Sequence, residues 1–280
     1  MLPVEKYDLA ILIVIYNKEL DDSLSYKSLN EALKRLQGAF HNIQLCVWNN
    51  GPKKINTNIK SDFYSGITFE TLSNESLSVI YNSFIGKCNS HKYLILDHDS
   101  EISDEYLKEC ISESFDYTIP TIMTAEGIQS PKTYDIRSYT GCSTLLGIGS
   151  GICISDTASK LLIKNFNNVF DERFYLYGVD STFFLRLNKL GLSDRVVVSN
   201  NVVKHSLSRL ENESLSVKLF REKERSYDQA LTLRYYFNQF TAITVLKKII
   251  GCLFLRKSDI NLRLFFTALI SGKHYKNMKP

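Results

Sequence analysis

Apolar runs alternate with stretches of helical periodicity along the first hundred residues of the chain. Residues 9–15 form a continuous branched apolar run, which is typical of a strand buried on both faces of a parallel sheet. Further strands are predicted at residues 43–48, 67–72 and 93–96. Leucines at helical spacing predict a helix over residues 22–37. A second helix is predicted over residues 76–87. This alternation predicts an α/β fold with a doubly wound sheet flanked by helices.

Polar side chains follow the predicted carboxyl ends of three of these strands. They are Tyr16, Asn17, Asn49, Asn50, Asp97 and Asp99. Ligands of doubly wound sheets bind in the crevice beyond this edge, so we expect these residues to surround one site. No G-x-G-x-x-G turn follows the first strand and no G-x-x-x-x-G-K-[ST] loop occurs, so the dinucleotide and P-loop fingerprints are absent. A phosphate-bearing ligand must be held by other groups.

The fourth strand ends in two carboxylates separated by one residue. If the chain stays extended through Asp97-His98-Asp99, both carboxylates point to one side of the sheet and His98 points to the other. Carboxylate oxygens suit Mg²⁺ or Mn²⁺, either of which can bridge a diphosphate. The alternative is an acidic turn leading into a helix that Ser103 caps. The short pattern alone leaves both interpretations open.

A third carboxylate is predicted at the start of a later helix. Gly178-Val-Asp180 precedes apolar residues at amphipathic spacing, and Gly191 follows them as a stop signal. Asp180 is therefore expected at or near the N-cap. Capping alone explains an aspartate there, but one oxygen could cap the helix while the other faces a cleft and takes a proton from a substrate hydroxyl.

The composition limits the classes of protein that these elements can build. The chain has 280 residues, of which 44% are hydrophobic, which suits one large domain with an appendage rather than a disordered protein. Its six cysteines form no C-x-x-C pair, which argues against a structural zinc site and favours a reducing compartment. The N-terminus shows no export signal. We therefore expect a cytoplasmic protein.

Basic charge is concentrated at the C-terminal end of the chain. Residues 247–280 contain eight Lys or Arg and one Asp, a formal charge of +7 in a chain whose net charge is +4. The apolar segments of this tail are too short and too charged to span a bilayer. A basic amphipathic tail suits the surface of an anionic membrane. The alternative is a helical subdomain that packs on the core with a solvated basic face.

Six segments in order along the chain resemble the inverting family 2 glycosyltransferases of the GT-A fold, especially the rhamnosyltransferase-like members. They are residues 13–17 (IVIYN), 47–51 (VWNNG), 94–99 (LILDHD), 149–155 (GSGICIS), 170–180 (FDERFYLYGVD) and 203–206 (VKHS). The resemblance extends over residues 8–210, and each motif alone is short. It implies a GT-A fold with a single Rossmann-like mixed sheet. The implied GT-A domain spans 1–210, with a nucleotide-sugar half at about 1–100 and an acceptor half at about 101–210. A helical, basic amphipathic extension spans 211–280.

The resemblance also implies a mechanism, which is direct displacement at the anomeric carbon with inversion. Asp180 matches the family's catalytic base and would deprotonate the acceptor hydroxyl. A cation, Mg²⁺ or Mn²⁺, would be held by Asp99 and His205 and would neutralise the departing nucleoside diphosphate. Asp97 would contact the ribose or support the metal. The alternative for His205 is a hydrogen-bonded structural role.

The remaining implied contacts are to the nucleotide sugar. The residues expected to make them are Tyr16, Asn17, Asn49, Asn50 and Asp97. Asn49 stands where many members have Asp, although an amide can still pair with a base. Val179 replaces the Glu that commonly precedes the catalytic base. These departures are in keeping with the rhamnosyltransferase-like subfamily.

The implied donor is a dTDP- or UDP-sugar, with dTDP-L-rhamnose first and a UDP-hexose or UDP-galactofuranose as alternatives. The implied acceptor is a lipid-linked glycan at the inner face of a bacterial membrane, in O-antigen or capsule biosynthesis. That location would give the basic tail a function as a peripheral membrane contact, and no nucleic-acid partner is expected. Four basic residues could contact the lipid diphosphate or could form a solvated helix face: Arg221, Lys223, Arg225 and Arg234.

Two other classes of protein share some of these features. A sugar-1-phosphate nucleotidyltransferase should carry a Gly-rich basic loop after its first strand, where this chain has Tyr16-Asn-Lys-Glu19. An inactive glycan-binding scaffold would not need Asp180 to approach Asp97 and Asp99. The position of Asp180 relative to the acidic pair therefore separates a transferase from a scaffold.

Overall fold

The computed structural model describes residues 6–36, 42–57, 59, 61–112, 114–137, 143–205, 214–254 and 259–278, with the backbone alone at 135–137. The strands are β1 (Leu9–Ile15), β2 (Ile43–Asn49), β3 (Gly66–Thr71), β4 (Lys92–Asp97), β5 (Ser100–Glu101), β6 (Tyr117–Thr124), β7 (Gly127–Ser130), β8 (Lys132–Arg137), β9 (Ser143–Leu146), β10 (Cys153–Ser155) and β11 (Val196–His205). The helices are α1 (Leu24–Arg35), α2 (Leu77–Lys87), α3 (Asp104–Ser112), α4 (Asp156–Phe166), α5 (Val179–Lys189), α6 (Leu215–Tyr235), α7 (Gln239–Phe254) and α8 (Leu262–Ser271).

The predicted α/β fold is confirmed, and its elements begin where the sequence places capping residues. Ser76 accepts a hydrogen bond from the Val79 amide and caps α2, and Ser103 accepts one from the Tyr106 amide ahead of α3. The first helix is shorter than predicted, because a short 3₁₀ turn precedes it and Ser23 is its cap. The predicted end of this helix, at Gln37 with Gly38 as the stop signal, lies outside the described residues.

The sheet is mixed, as the resemblance implies. Nine strands form it in the order β3-β2-β1-β4-β10-β6-β11-β5, with β7 added to β6. The half from β3 to β4 is parallel throughout, β10 is antiparallel to both of its neighbours, and β11 is parallel to β6. The carboxyl ends of β1, β2 and β4 consequently lie at one edge. Strands β8 and β9 form a separate hairpin.

Two apolar layers cover the sheet, one on each face. In β1 the side chains alternate, so that Ala10, Leu12 and Val14 join the layer containing α2 and α5. The intervening residues of β1 join the layer containing α1 and α3. Every residue of β1 is buried, and full burial of a Leu or Ile side chain contributes about 1.5–3 kcal/mol. A continuous apolar strand is therefore required at the centre of this sheet.

The last three helices build a small third core of their own. Tyr227, Val245 and Phe265 are buried between α6, α7 and α8. The same helices also pack on the main domain, since Leu231 and Phe240 belong to the core layer that contains α5. The predicted domain boundary at residue 210 falls within 206–213, outside the described residues, and stays a prediction.

Candidate active site

Two carboxylates and an imidazole converge beyond the carboxyl end of β4. Asp97, Asp99 and His205 each offer a ligand atom, and these atoms lie within 4.8 Å of one another. His205 arrives from the end of β11, where it is paired in register with Ser100 of β5. Its Nδ1 lies 3.4 Å from Asp99 Oδ1. The sheet therefore brings His205 next to two aspartates that precede it by more than one hundred residues along the chain.

The acidic pair reaches this position through a turn, which is the alternative that the sequence left open to an extended strand through residues 97–99. Strand β4 ends at Asp97, and His98 and Asp99 form a turn before β5. Two serines at the start of α1 hold this turn. Ser25 Oγ lies within hydrogen-bond distance of the carbonyl oxygens of Asp97 and Ser100, which share its single hydrogen. Ser23 Oγ donates to the carbonyl oxygen of His98 at 2.9 Å. Satisfying these buried carbonyls favours the turn over a straight strand.

This cluster suits a divalent cation of the kind that prefers oxygen ligands. Burial raises the pKa of Asp97 to about 6, and the charge of Asp99 acts in the same direction against the opposing effect of His205. Two carboxylates crowded in this way are stabilised by a cation. Oxygen ligands suit Mg²⁺ and Mn²⁺, and the added imidazole is a ligand that transition metals accept.

A chain of hydroxyl groups supports the cluster from below. Ser150 Oγ accepts a hydrogen bond from the Asp97 amide at 2.9 Å and lies 2.6 Å from Ser100 Oγ. Ser100 Oγ in turn lies 2.9 Å from His205 Nδ1. This hydrogen bond and metal binding are compatible roles for His205, because an imidazole has two ring nitrogens. Sequence reasoning missed these serines, although Ser150 lies inside the G-S-G segment.

Asp180 lies on the opposite wall of the same cleft, at the start of α5. The N-cap is Gly178, whose φ of +81° suits glycine, and Asp180 follows in the first turn. Asp180 Oδ1 accepts a hydrogen bond from the Ser181 amide at 2.8 Å. Burial raises the pKa of Asp180 to about 6, with the charges of Asp228 and Asp97 adding to the effect. A carboxylate with a pKa in this range can act as a general base near neutral pH.

Asp97 and Asp180 line one cavity of ≈ 520 Å³, which we call the larger cavity. Gly149 lies at its floor, where a Cβ would sit 3.6 Å from the Asp180 Cβ. Tyr81 of α2 lines the same cavity. Burial raises the pKa of Tyr81, and the charges of both aspartates do so as well. No sequence motif marked Tyr81, because it reads as one apolar position of a helix.

A second cavity of ≈ 390 Å³, the smaller cavity, adjoins the first. Tyr16, which is 50% exposed, lines both cavities. Asn50 lines the smaller one, and its side chain bridges the backbone amide and carbonyl of Glu75 at 2.8 and 2.9 Å. The ends of β1 and β2 thus supply its polar wall, as the strand pattern predicted.

Asn17 and Asn49 shape the loops behind this wall. Asn49 is fully buried, donates to the Lys53 carbonyl at 2.6 Å and accepts from the Gly51 amide at 3.2 Å. Asn17 has a φ of +57°, and a Cβ on Gly51 would come within 2.4 Å of its amide nitrogen. Contacts of Asn17 and Asn49 with a nucleotide stay predictions, because this conformation uses the Asn49 side chain within its own loop.

Arg221 of α6 lines the larger cavity. It is one of the four basic residues that the sequence suggested as contacts for a lipid diphosphate. The other three contact neighbouring helices and loops. Lys223 Nζ lies 3.5 Å from the Tyr275 ring centroid, Arg225 packs on the Tyr177 ring, and Arg234 donates to backbone carbonyls of α8. Their arrangement matches the alternative of a packed helix face.

The basic tail forms packed helices and also exposes apolar side chains. On α7 the exposed residues recur at helical spacing: Leu246 (55%), Ile250 (44%), Leu253 (59%) and Phe254 (76%). On α8, Phe266 is 47% and Ile270 is 78% exposed. Within the described ranges, no helix combines the length and apolarity needed to cross a bilayer. Packing on the core therefore leaves a second, uncovered apolar face.

The sequence matches no protein-family model and no curated protein. The structure is similar to that of TarS 1–349 from S. aureus, with a TM-score of 0.53 and 14% identity over 94% of this chain and 79% of that one. The TarS complex with UDP-GlcNAc gives a TM-score of 0.51 and 14% identity, over 95% of this chain and 80% of that one. Glucosyl-3-phosphoglycerate synthase from Mycobacterium tuberculosis, in complex with Mn²⁺, UDP and glucosyl-3-phosphoglycerate, is similar with a TM-score of 0.52 and 11% identity. The match covers 80% of this chain and 78% of that one. The chain therefore has the fold of GT-A-like glycosyltransferases.

Proposed function

We propose that this protein is an inverting glycosyltransferase that moves a sugar from a nucleotide sugar to a hydroxyl of an acceptor. The observation that carries the proposal is the convergence of Asp180 and Asp97 on one cavity beside a candidate metal cluster. The shared fold with UDP-binding and Mn²⁺-binding structures supports it. A scaffold without catalytic activity has no need for three carboxylates with this arrangement.

In the proposed reaction, the acceptor hydroxyl donates its proton to Asp180 while its oxygen attacks the anomeric carbon. The bond to the nucleoside diphosphate breaks in the same step, which inverts the anomeric centre. A cation bound by Asp97, Asp99 and His205 would neutralise the charge of the leaving group. Tyr81 lines the cavity beside Asp97 and Asp180.

The donor is proposed to be a dTDP- or UDP-sugar, with dTDP-L-rhamnose first. Tyr16 and Asn50 would contact its nucleotide in the smaller cavity. A nucleotidyltransferase is disfavoured, because the turn after β1 presents the exposed Tyr16 ring rather than a Gly-rich basic loop.

A donor panel tests this proposal directly. The full-length protein is incubated with Mn²⁺ or Mg²⁺, an extract of lipid-linked glycans and one nucleotide sugar at a time, and release of nucleoside diphosphate is measured. We expect acceptor-dependent release with one donor and little with the others. Release of pyrophosphate from a sugar 1-phosphate and a nucleoside triphosphate would instead identify a nucleotidyltransferase, and no turnover with any donor would support a scaffold.

The acceptor is proposed to be lipid-linked, with the protein held at the inner face of the membrane for surface polysaccharide synthesis. The exposed apolar residues of α7 lie on one side of the helix, as expected of a helix lying in a bilayer interface. Lys247 beside them is exposed, and Arg263 of α8 is exposed as well. Each basic residue near an anionic surface contributes about 1 kcal/mol. The face therefore combines an apolar strip with positive charge.

The double substitution I250E/L253E is expected to reduce binding to vesicles rich in anionic lipid by about tenfold or more, since it places two carboxylates in the apolar strip. Co-sedimentation measures the bound fraction. I128E is the matched control, because Ile128 is an apolar residue of β7 with 67% exposure. Vesicle binding that stays at the wild-type level in the double variant would refute the membrane role of this face.

A further inference from the structure

The C-terminal end of the chain contributes a wall to the smaller cavity. The polar edge of the sheet supplies Tyr16 and Asn50, and the loop before α2 supplies Asn74 and Glu75. Lys276, which follows α8, lines the same cavity. A tail that served only to contact a membrane would not need to reach this cavity.

Lys276 is held on an aromatic platform. Its Nζ lies 3.4 Å from the centroid of the Tyr175 ring, well within the range of a cation–π interaction. The Tyr175 hydroxyl donates to the Asn74 carbonyl, and the His274 ring stacks on the Tyr175 ring, with 5.5 Å between centroids and 12° between planes. The ammonium is therefore placed at the cavity wall by contacts on the loop that precedes α5 and on the tail itself.

A buried carboxylate on α6 secures this segment. Glu224 is 1% exposed, and its Oε1 accepts a hydrogen bond from the Tyr275 hydroxyl at 2.5 Å. Its Oε2 lies 3.4 Å from His274 Nε2. A buried carboxylate is costly unless it is paired, so these contacts strongly favour one position for the segment. The position of Lys276 thus follows from the packing of the extension.

Resting on the proposed function, we propose that Lys276 and Tyr175 form the outer wall of the nucleotide subsite, where the Lys276 ammonium donates to an oxygen of the bound nucleoside diphosphate. The smaller cavity, at ≈ 390 Å³, falls in the size range of ligand pockets. Lys276 supplies a cationic side chain to its lining, and an ammonium can donate to the phosphate oxygens of an anionic ligand.

Binding of UDP and of dTDP, measured by calorimetry in the presence of Mn²⁺, tests this inference. Lys276→Ala is expected to raise the Kd of the preferred nucleotide by about 10- to 100-fold, as for loss of a charged hydrogen bond. Lys276→Arg, which keeps the charge, is expected to restore most of the affinity. Lys273→Ala is the matched control, since Lys273 is an exposed lysine of the same tail that does not line either cavity.

The outcomes separate this inference from the proposed function. If the wild-type protein binds neither nucleotide, the proposed function fails. If the wild-type protein binds and Lys276→Ala binds equally well, the subsite is refuted while the function stands. Parallel titrations with the nucleoside and the nucleoside monophosphate locate the contact. A loss confined to the diphosphate places it on the terminal phosphate, a loss shared with the monophosphate alone places it on the first phosphate, and an equal loss with the nucleoside would refute a contact with the diphosphate. Thermal unfolding of Lys276→Ala at the wild-type temperature confirms that the fold is intact.

Discussion

Asp180→Asn is expected to lower kcat of sugar transfer by about 10³-fold while the Kd of the nucleoside diphosphate stays within about twofold of wild type. The amide keeps the size of the side chain and can still accept the hydrogen bond from the Ser181 amide, so the first turn of α5 keeps this contact. It cannot take a proton, and general-base catalysis contributes about 10²–10⁴-fold. Turnover is measured by nucleoside diphosphate release and binding by calorimetry.

Asp194→Asn is the matched control for this substitution. Asp194 is exposed in the short turn that follows α5, so its neutralisation should leave both turnover and binding unchanged. Wild-type turnover in Asp180→Asn would show that another group accepts the proton. A parallel loss of nucleotide binding would show instead that Asp180 acts on the donor.

The pH dependence of the wild-type enzyme provides a second readout of the same base. Burial raises the pKa of Asp180 to about 6, from an ordinary value of 3.8. The base acts only when it is ionised, so kcat/KM is expected to fall about tenfold per pH unit below about pH 6 and to level off above it. A profile that stays flat down to about pH 5 would contradict the assignment.

Asp99→Asn is expected to lower turnover by about 100-fold and to raise the Mn²⁺ concentration needed for half-maximal activity by at least about tenfold. The substitution removes one of two carboxylates from the candidate site, and an amide is a weaker ligand for a hard cation. Direct Mn²⁺ binding, measured by electron paramagnetic resonance of the free ion, gives a readout that does not depend on turnover.

Glu101→Gln is the control for the metal site. Glu101 lies two residues further along the chain, is exposed, and pairs with Lys204 at 3.0 Å outside the cluster. A general loss of negative charge near β5 would affect both variants, whereas a metal ligand would affect Asp99→Asn alone. Equal Mn²⁺ affinity in the wild-type protein and in Asp99→Asn would remove Asp99 from the site.

The elements of the sheet could be predicted because their signals are local. Strand β1 was predicted at its observed bounds, since a strand buried on both faces must be apolar at every position. Ser76 and Ser103 marked the helix starts, because a cap bonds to an amide only three residues away. The order of strands across the sheet was not predicted, since pairing partners are distant along the chain.

The conformation of residues 97–99 shows where local reasoning ended. Alternation along an extended strand is the right expectation for a strand in isolation. Here the hydroxyls of Ser23 and Ser25, more than seventy residues earlier, bond to carbonyls of the segment and turn it. The three ligand atoms converge nonetheless, because β11 brings His205 alongside Ser100. The three side chains therefore lie together through contacts that the sequence did not predict, and their binding of a metal stays a prediction.

The sequence by itself determined the α/β alternation, the helix caps, and the three acidic residues around which the proposed site is built. These depend on backbone sterics, side-chain periodicity and short-range hydrogen bonds, which neighbouring residues decide. Only the tertiary structure decided that Asp180 faces Asp97 across one cavity, that Tyr81 stands between them, and that Lys276 closes the smaller cavity. Those contacts join segments far apart along the chain, and packing of the whole core selects them.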